Sequence, residues 1–150
     1  MKVERSIEIA APPDKIWPFL VEPKQIMKWF TLLEKFEYTG KQRSGAGTPF
    51  YYEERSAGRL MKFHYKVTEW VEKEKLAFKM TSGPAKKDDQ VWSIKATPKG
   101  SVFTLAEDFE MGGGIFGKMM VALVVGRSIG KHLEEILANL KKLAEAKKQN

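Results

Sequence analysis

The hydrophobic period changes once along this chain, and that change constrains the fold more than any other feature. From about Phe36 to Met111, six strand-like runs are separated by clusters of Gly, Pro, Ser and charge at Lys41 to Gly47, Ser56 to Arg59, Glu72 to Lys75, Ser82 to Asp89, and Thr97 to Ser101. Spacers this short imply antiparallel hairpins. After Met111, Ile129, Leu133, Ile136, Leu137, Leu140 and Leu143 recur at three and four residues, which marks one apolar stripe on a long helix. Ahead of both, Val3, Arg5, Ile7 and Ile9 alternate with polar neighbours as a first strand. Two short helical pieces follow it. Pro13 and Pro23 sit in their first turns, where a missing N–H costs nothing, and Pro18 is placed to end or kink the first piece. Strand, two small helices, six strands and a long helix is an α+β order. No stretch reads as a linker or a repeat, so residues 1–150 are expected to form one domain.

Composition narrows the function classes. With 43% apolar residues, 30% charged residues and no cysteine, the chain is ordinary globular material. It is not a disordered chain, a collagen or a disulfide scaffold, and it has no thiol chemistry. The longest apolar stretch, Met111 to Gly126, is rich in glycine and broken by Lys118, short of the ~20 apolar residues that span a bilayer. Met1 to Arg5 shows no secretory signal, and a cytoplasmic location is expected. The net charge of +7 favours encounter with anionic partners but does not choose among them. Lys141, Lys142, Lys147 and Lys148 read as the solvated end of the last helix, and no specific nucleic-acid partner is expected.

Folding the hairpins on paper shows what faces inward. If the turn at Ser56 to Arg59 pairs Arg55 with Leu60, then Phe50 lies opposite Tyr65, Tyr52 opposite Phe63, and Glu54 opposite Met61. Tyr51, Glu53, Lys62 and His64 fall on the other face. The same rule sets Val67 opposite Met80, Phe78 opposite Ile94, Met80 beside Trp92, and Ile94 opposite Leu105. One face of the sheet then carries Tyr52, Phe63, Tyr65, Phe78, Trp92, Phe103 and Phe109, facing Phe116, Met119, Met120 and Leu123 early in the helical segment. This bulk can close a solid core or line a cavity, and close packing of native interiors favours the core.

Four strings, in order, carry a resemblance: Val3 to Leu20 (VERSIEIAAPPDKIWPFL), Gly45 to Thr48 (GAGT), Val67 to Phe78 (VTEWVEKEKLAF) and Leu133 to Glu145 (LEEILANLKKLAE). Together they resemble the START-like, Bet v 1-like superfamily (SRPBCC), specifically its polyketide cyclase/dehydrase and lipid-transport members. The resemblance implies a helix-grip fold, with a curved antiparallel sheet of seven strands around the C-terminal helix and a cavity entered near the short helices. Members bind hydrophobic small molecules such as lipids, sterols and polyketides, and only some catalyse a reaction. Fold transfers more securely than chemistry.

Several motifs have plainer explanations. Gly112 to Gly117 matches the dinucleotide fingerprint and nearly matches a phosphate-binding loop. A dinucleotide fold needs a second parallel strand, whereas the residues after Gly117 read as helix, so the glycines are expected to form a strand-to-helix corner beside the cavity, mobile enough to gate it. His64 falls on the outward face and His132 beside Leu133; neither has a histidine or cysteine partner, so no metal, cofactor or catalytic residue is assigned. Glu54, Glu69 (beside Phe78) and Glu107 (beside Trp92) fall on the apolar side, where a carboxylate is costly unless paired or protonated. Water at strand ends is the plain explanation; pairing with Arg127 or Arg5 is the functional one, since a Glu69 or Glu107 pair with Arg127 would orient a ligand's polar end. Trp17 and Trp70 read as packing surface, and Trp29 as a lid.

The expected ligand-binding set is therefore Trp29, Tyr52, Phe63, Tyr65, Phe78, Met80, Trp92, Phe109, Phe116, Met119, Met120 and Leu123, with Glu69, Glu107 and Arg127 at the polar end. The expected partner is a hydrophobic small molecule, carried or sensed, with the adaptable methionines broadening selectivity. Basic charge beside the glycine corner also permits transient contact with anionic membrane. A cyclase or dehydrase with an inward carboxylate as general base is the alternative, followed by a protein-interaction module. Oligomeric state is not readable.

Overall fold

In the computed structural model, residues 1–56, 58–112 and 126–146 are described. Alternation of apolar and polar residues builds a seven-stranded antiparallel sheet from β1 (Lys2–Ile9), β2 (Leu33–Tyr38), β3 (Pro49–Ser56), β4 (Arg59–Val71), β5 (Lys75–Ser82), β6 (Lys87–Thr97) and β7 (Gly100–Glu110). The spatial order is β1-β7-β6-β5-β4-β3-β2, so the strands after β2 follow one another as hairpins and β1 closes onto β7. The segment between β1 and β2, which stand at opposite edges, holds three short helices, α1 (Pro13–Ile16), α2 (Pro18–Val21) and α3 (Pro23–Trp29). Pro18 ends the first piece as its chemistry requires, so three helices stand where two were expected. The long helix α4 (Gly126–Glu145) closes the open face of the curled sheet, burying Leu133, Ile136, Leu137 and Leu140. This is the helix-grip α+β architecture.

Register holds in the β3–β4 hairpin, where Phe50 faces Tyr65, Tyr52 faces Phe63, Glu54 faces Met61 and Arg55 faces Leu60. The other hairpins are displaced: Val67 faces Phe78 rather than Met80, Phe78 faces Gln90 rather than Ile94, and Ile94 faces Phe103 rather than Leu105. Met80 faces Tyr65, and Trp92 stands between Leu76 and Leu105. Each displacement is an even number of residues, so every one of these side chains keeps its face. The exception is a register shift in β4 between Val67 and Glu69, which face the consecutive residues Phe78 and Ala77. The extra residue reverses the parity beyond it. Glu69 is thereby turned outward, exposed and ion-paired to Lys75 at 2.9 Å, while Trp70 turns inward and meets Trp17 edge-on at 5.7 Å.

Helix α4 is tied to β1 by polar contacts. Arg5 reaches Glu134 at 3.4 Å rather than any inward carboxylate. Lys141 Nζ donates to the Glu8 carbonyl at 3.0 Å, and the Ala10 N–H donates to Glu145 at 2.8 Å. Both sheet neighbours of β7 are antiparallel to it, so the glycines after Met111 do not follow a strand of a dinucleotide fold. Gly113 to Gly117 lie outside the described residues. Among the described residues, no helix is long and apolar enough to cross a membrane.

Candidate functional site

The interior between sheet and helix has two unlike ends. Towards α2 it is filled. Leu20, Phe36, Phe50, Val67, Trp70, Leu76, Phe78 and Trp92 leave a void of only about 10 Å³, and Trp29, wholly buried, packs on Trp92 at 5.1 Å and Phe103 at 5.9 Å. Its indole N–H donates to the Phe19 carbonyl at 2.7 Å, which fixes it as core rather than lid. Towards the β3–β4 and β5–β6 turns the interior opens into a cavity of about 240 Å³. Its walls are Tyr52, Phe63 and Phe109 on the sheet, Phe30 after α3, Met61 at the start of β4, and Ile129, His132 and Leu133 on α4. Of the segment that holds the short helices only Phe30 borders this cavity, so the cavity lies towards the hairpin end and away from α1 and α2.

Strand alternation brings a polar set to the same cavity. Glu54 comes from β3, Asp88 and Gln90 from the start of β6, and Glu107 from β7, where it pairs across from Gln90. The Tyr65 hydroxyl donates to Asp88 Oδ2 at 2.7 Å. Its single proton is thereby committed, so in the 2.8 Å contact between the two phenols Tyr52 is the donor. The Gln90 side-chain oxygen accepts from the Trp92 indole at 3.1 Å. Burial raises both tyrosines well above the usual phenol value, and they stay protonated donors. Burial, then the charge of Asp88, pushes Glu54 up to about 7. Burial raises Asp88, and burial with the adjacent Asp88 raises Glu107 well above the carboxylate range. Burial lowers His132, whose Nε2 meets no hydrogen-bond partner.

The Tyr65 phenol donates to the buried Asp88 carboxyl, and Tyr65→Phe removes that donor. The expected cost is about 1–3 kcal/mol in urea unfolding. No loss would show that water replaces the hydroxyl.

Of the residues singled out from sequence, Tyr52, Phe63, Phe109 and Glu107 line the cavity. Tyr65 reaches it through its bond to Asp88. Trp29, Phe78 and Trp92 belong to the filled end, and Met80 is half-buried beside the cavity wall without lining it. Glu69 and Arg127 are both exposed, so the expected pair between them does not form. Phe116, Met119, Met120 and Leu123 lie outside the described residues. Sequence reading passed over Asp88, Gln90 and Phe30, and assigned no role to His132. The turn expected over Ser82 to Asp89 is shorter in the structure, where β6 begins at Lys87. Asp88 and Gln90 share the inward parity of Trp92 and Ile94, which was the available signal.

The model of the family described as "Polyketide cyclase / dehydrase and lipid transport" matches residues 1–145. Among curated proteins none matches the sequence. Among solved structures, TTHA0849 from Thermus thermophilus superposes with a TM-score of 0.81 at 19% identity, covering 96% of this chain and 97% of its own. A START superfamily protein from Mycobacterium smegmatis gives 0.77 at 18% identity over 96% and 97%. The Zhui aromatase/cyclase of a Streptomyces species gives 0.71 at 19% identity over 97% and 96%. At such identities these structures share the fold, and it is the match over nearly the whole length that places the chain in the polyketide cyclase/dehydrase and lipid-transport family.

Proposed function

We propose that this chain binds a small hydrophobic molecule in the cavity between the sheet and α4, as a carrier or sensor. The observation that carries the reading is the cavity of about 240 Å³ walled by Phe30, Tyr52, Phe63, Phe109, Met61 and Leu133 at one end of an interior whose α2 end is filled. Native interiors rarely leave such space, and apolar concave sites with a few converging polar groups are where ligands bind. Apolar ligand surface buried there contributes ~25 cal/mol per Å² before ordering costs. The volume sits below the ~300–1,000 Å³ of drug-sized sites, which favours one ring or a short chain over a sterol. Lipid carriage fits the family and rests on that membership alone.

The test pairs native mass spectrometry of freshly purified protein with titration of a fluorescent apolar dye. Met61→Trp, at the half-buried rim, is expected to weaken dye binding at least about tenfold with little change in melting temperature, because the added ring occupies the cavity. Dye binding that ignores this substitution would overturn the assignment of the site.

A second reading is acid–base catalysis of the cyclase or dehydrase type. In its favour, Glu54 is held near 7, where a group can both take and return a proton at neutral pH. Turnover of a candidate substrate abolished in Glu54→Gln, with its binding retained, would select this reading.

A further inference from the structure

Among the described residues, the cavity contains acids without a counter-charge. Glu54, Asp88 and Glu107 all line it, and no lysine or arginine does so among the described residues, in a chain with 26 of them. Elsewhere several carboxylates find cations: Glu34 meets Arg55 at 2.5 Å, Asp108 meets Lys87 at 2.9 Å, and Glu145 meets Lys141 at 2.5 Å. Asp88 is the sharpest case. It is 5% exposed and lines the cavity; Oδ2 accepts from Tyr65, while Oδ1 has no hydrogen-bond partner. A buried carboxylate oxygen without a donor is costly, and a proton shared with the adjacent Glu107 carboxyl offsets part of that cost. His132 does not supply the missing positive charge, since burial holds it towards the neutral form.

We propose that the guest is a primary or secondary amine on a small apolar body, its ammonium group seated against Asp88 Oδ1 with Glu54 and Glu107 around it. This rests on the reading of the cavity as a ligand site. An ammonium supplies the donors that Asp88 lacks, and the faces of Tyr52, Phe63, Phe30 and Phe109 suit an apolar body, preferably an aromatic one. A fatty acid would add a fourth carboxyl to three. A bare metal ion is disfavoured because, among the described residues, no group of three or more acidic, histidine or cysteine side chains is placed to hold one. Among the described residues, the titratable groups facing the ammonium are Glu54 and Tyr52 from β3, Tyr65 from β4, Asp88 from β6, Glu107 from β7 and His132 from α4. Its arrival favours the ionised carboxyls and drives off protons that burial had retained.

Three probes of matched shape test this on the full chain by calorimetric titration at pH 7.5: 2-phenylethylamine, 2-phenylethanol and 3-phenylpropionate. The amine is expected to bind about tenfold tighter than the alcohol, the worth of one charged hydrogen bond, and the carboxylate weakest. In Asp88→Asn the amine-to-alcohol ratio is expected to fall several-fold. Glu54→Gln, nearer the rim, serves the same purpose should the first variant fold poorly, and the melting temperature reports that. Alcohol or carboxylate binding as tight as the amine, or a ratio unmoved in both folded variants, overturns the amine assignment and leaves the cavity reading intact. Absence of binding by all three overturns both.

Discussion

Gly100→Ala is expected to lower the melting temperature by about 10 °C, the largest effect of a methyl group added at any glycine among the described residues. Gly100 starts β7 at a φ of +143°, in a region that L side chains rarely adopt. A Cβ there would lie 2.3 Å from the Ile9 carbonyl oxygen and 2.8 Å from the Ala11 nitrogen. Both obstacles are backbone, so no rotamer change relieves them. The chain leaving β1 must move, and with it the bond from the Ser101 hydroxyl to the Ala11 carbonyl, 2.8 Å and buried. Backbone strain and overpacking each cost about 1–3 kcal/mol, together about 4 kcal/mol in denaturant unfolding. Gly58→Ala is the control, since φ is +78° there but no atom lies within 4 Å of the added Cβ, so only the strain remains. Equal losses at the two positions would show that the crossing of β1 over β7 is looser than described.

The order of elements was legible because two signals agreed: turn clusters spaced the strands, and one change of period announced the helix. Register was legible only where the turn is tight. At Ser56 to Arg59 the four pairs follow from the turn, whereas register shifts in β4 follow from how the sheet curls, which no local pattern announces. The shift beyond Val67 is what misplaced Glu69. Had β4 continued without it, Glu69 would lie opposite Leu76 with its carboxylate on the inward face, as alternation requires.

The cavity was legible as an excess of inward aromatics, but its position was not. Trp29, Trp92 and Phe103 interlock across segments distant in sequence, and only their mutual geometry decides that the α2 end is full. Asp88 was hidden by its place at a turn border. Arg127 was misjudged because helical spacing alone cannot tell which flank of α4 faces the sheet near its first turn.

The protein is expected to be more stable at pH 5 than at pH 8, reversing the usual acid sensitivity of a carboxylate-rich fold. The sign follows from the cavity. Glu54 is raised from 4.5 to about 7, and Asp88 and Glu107 are raised as well, so between about 4.5 and 7 the native state binds more protons than the unfolded chain. Stability then falls as pH rises through that window; the contribution is fully present below the unfolded value and lost above the folded one. For Glu54 the shift corresponds to about 3 kcal/mol. Glu34, Asp108 and Glu145 act oppositely, since hydrogen bonds lower them, but they lie at the surface, where solvent screens the effect. His132, lowered by burial, also loses stability as pH falls, so the isolating experiment is Glu54→Gln. That variant keeps the shape and removes the titration. Its melting temperature is expected to exceed the parent's at pH 8 and to match it at pH 5. A parent that gains stability steadily from pH 5 to 8, or a variant with the parent's slope, would mean that water already solvates these carboxyls, and the case for an unmet charge in the cavity would go with them.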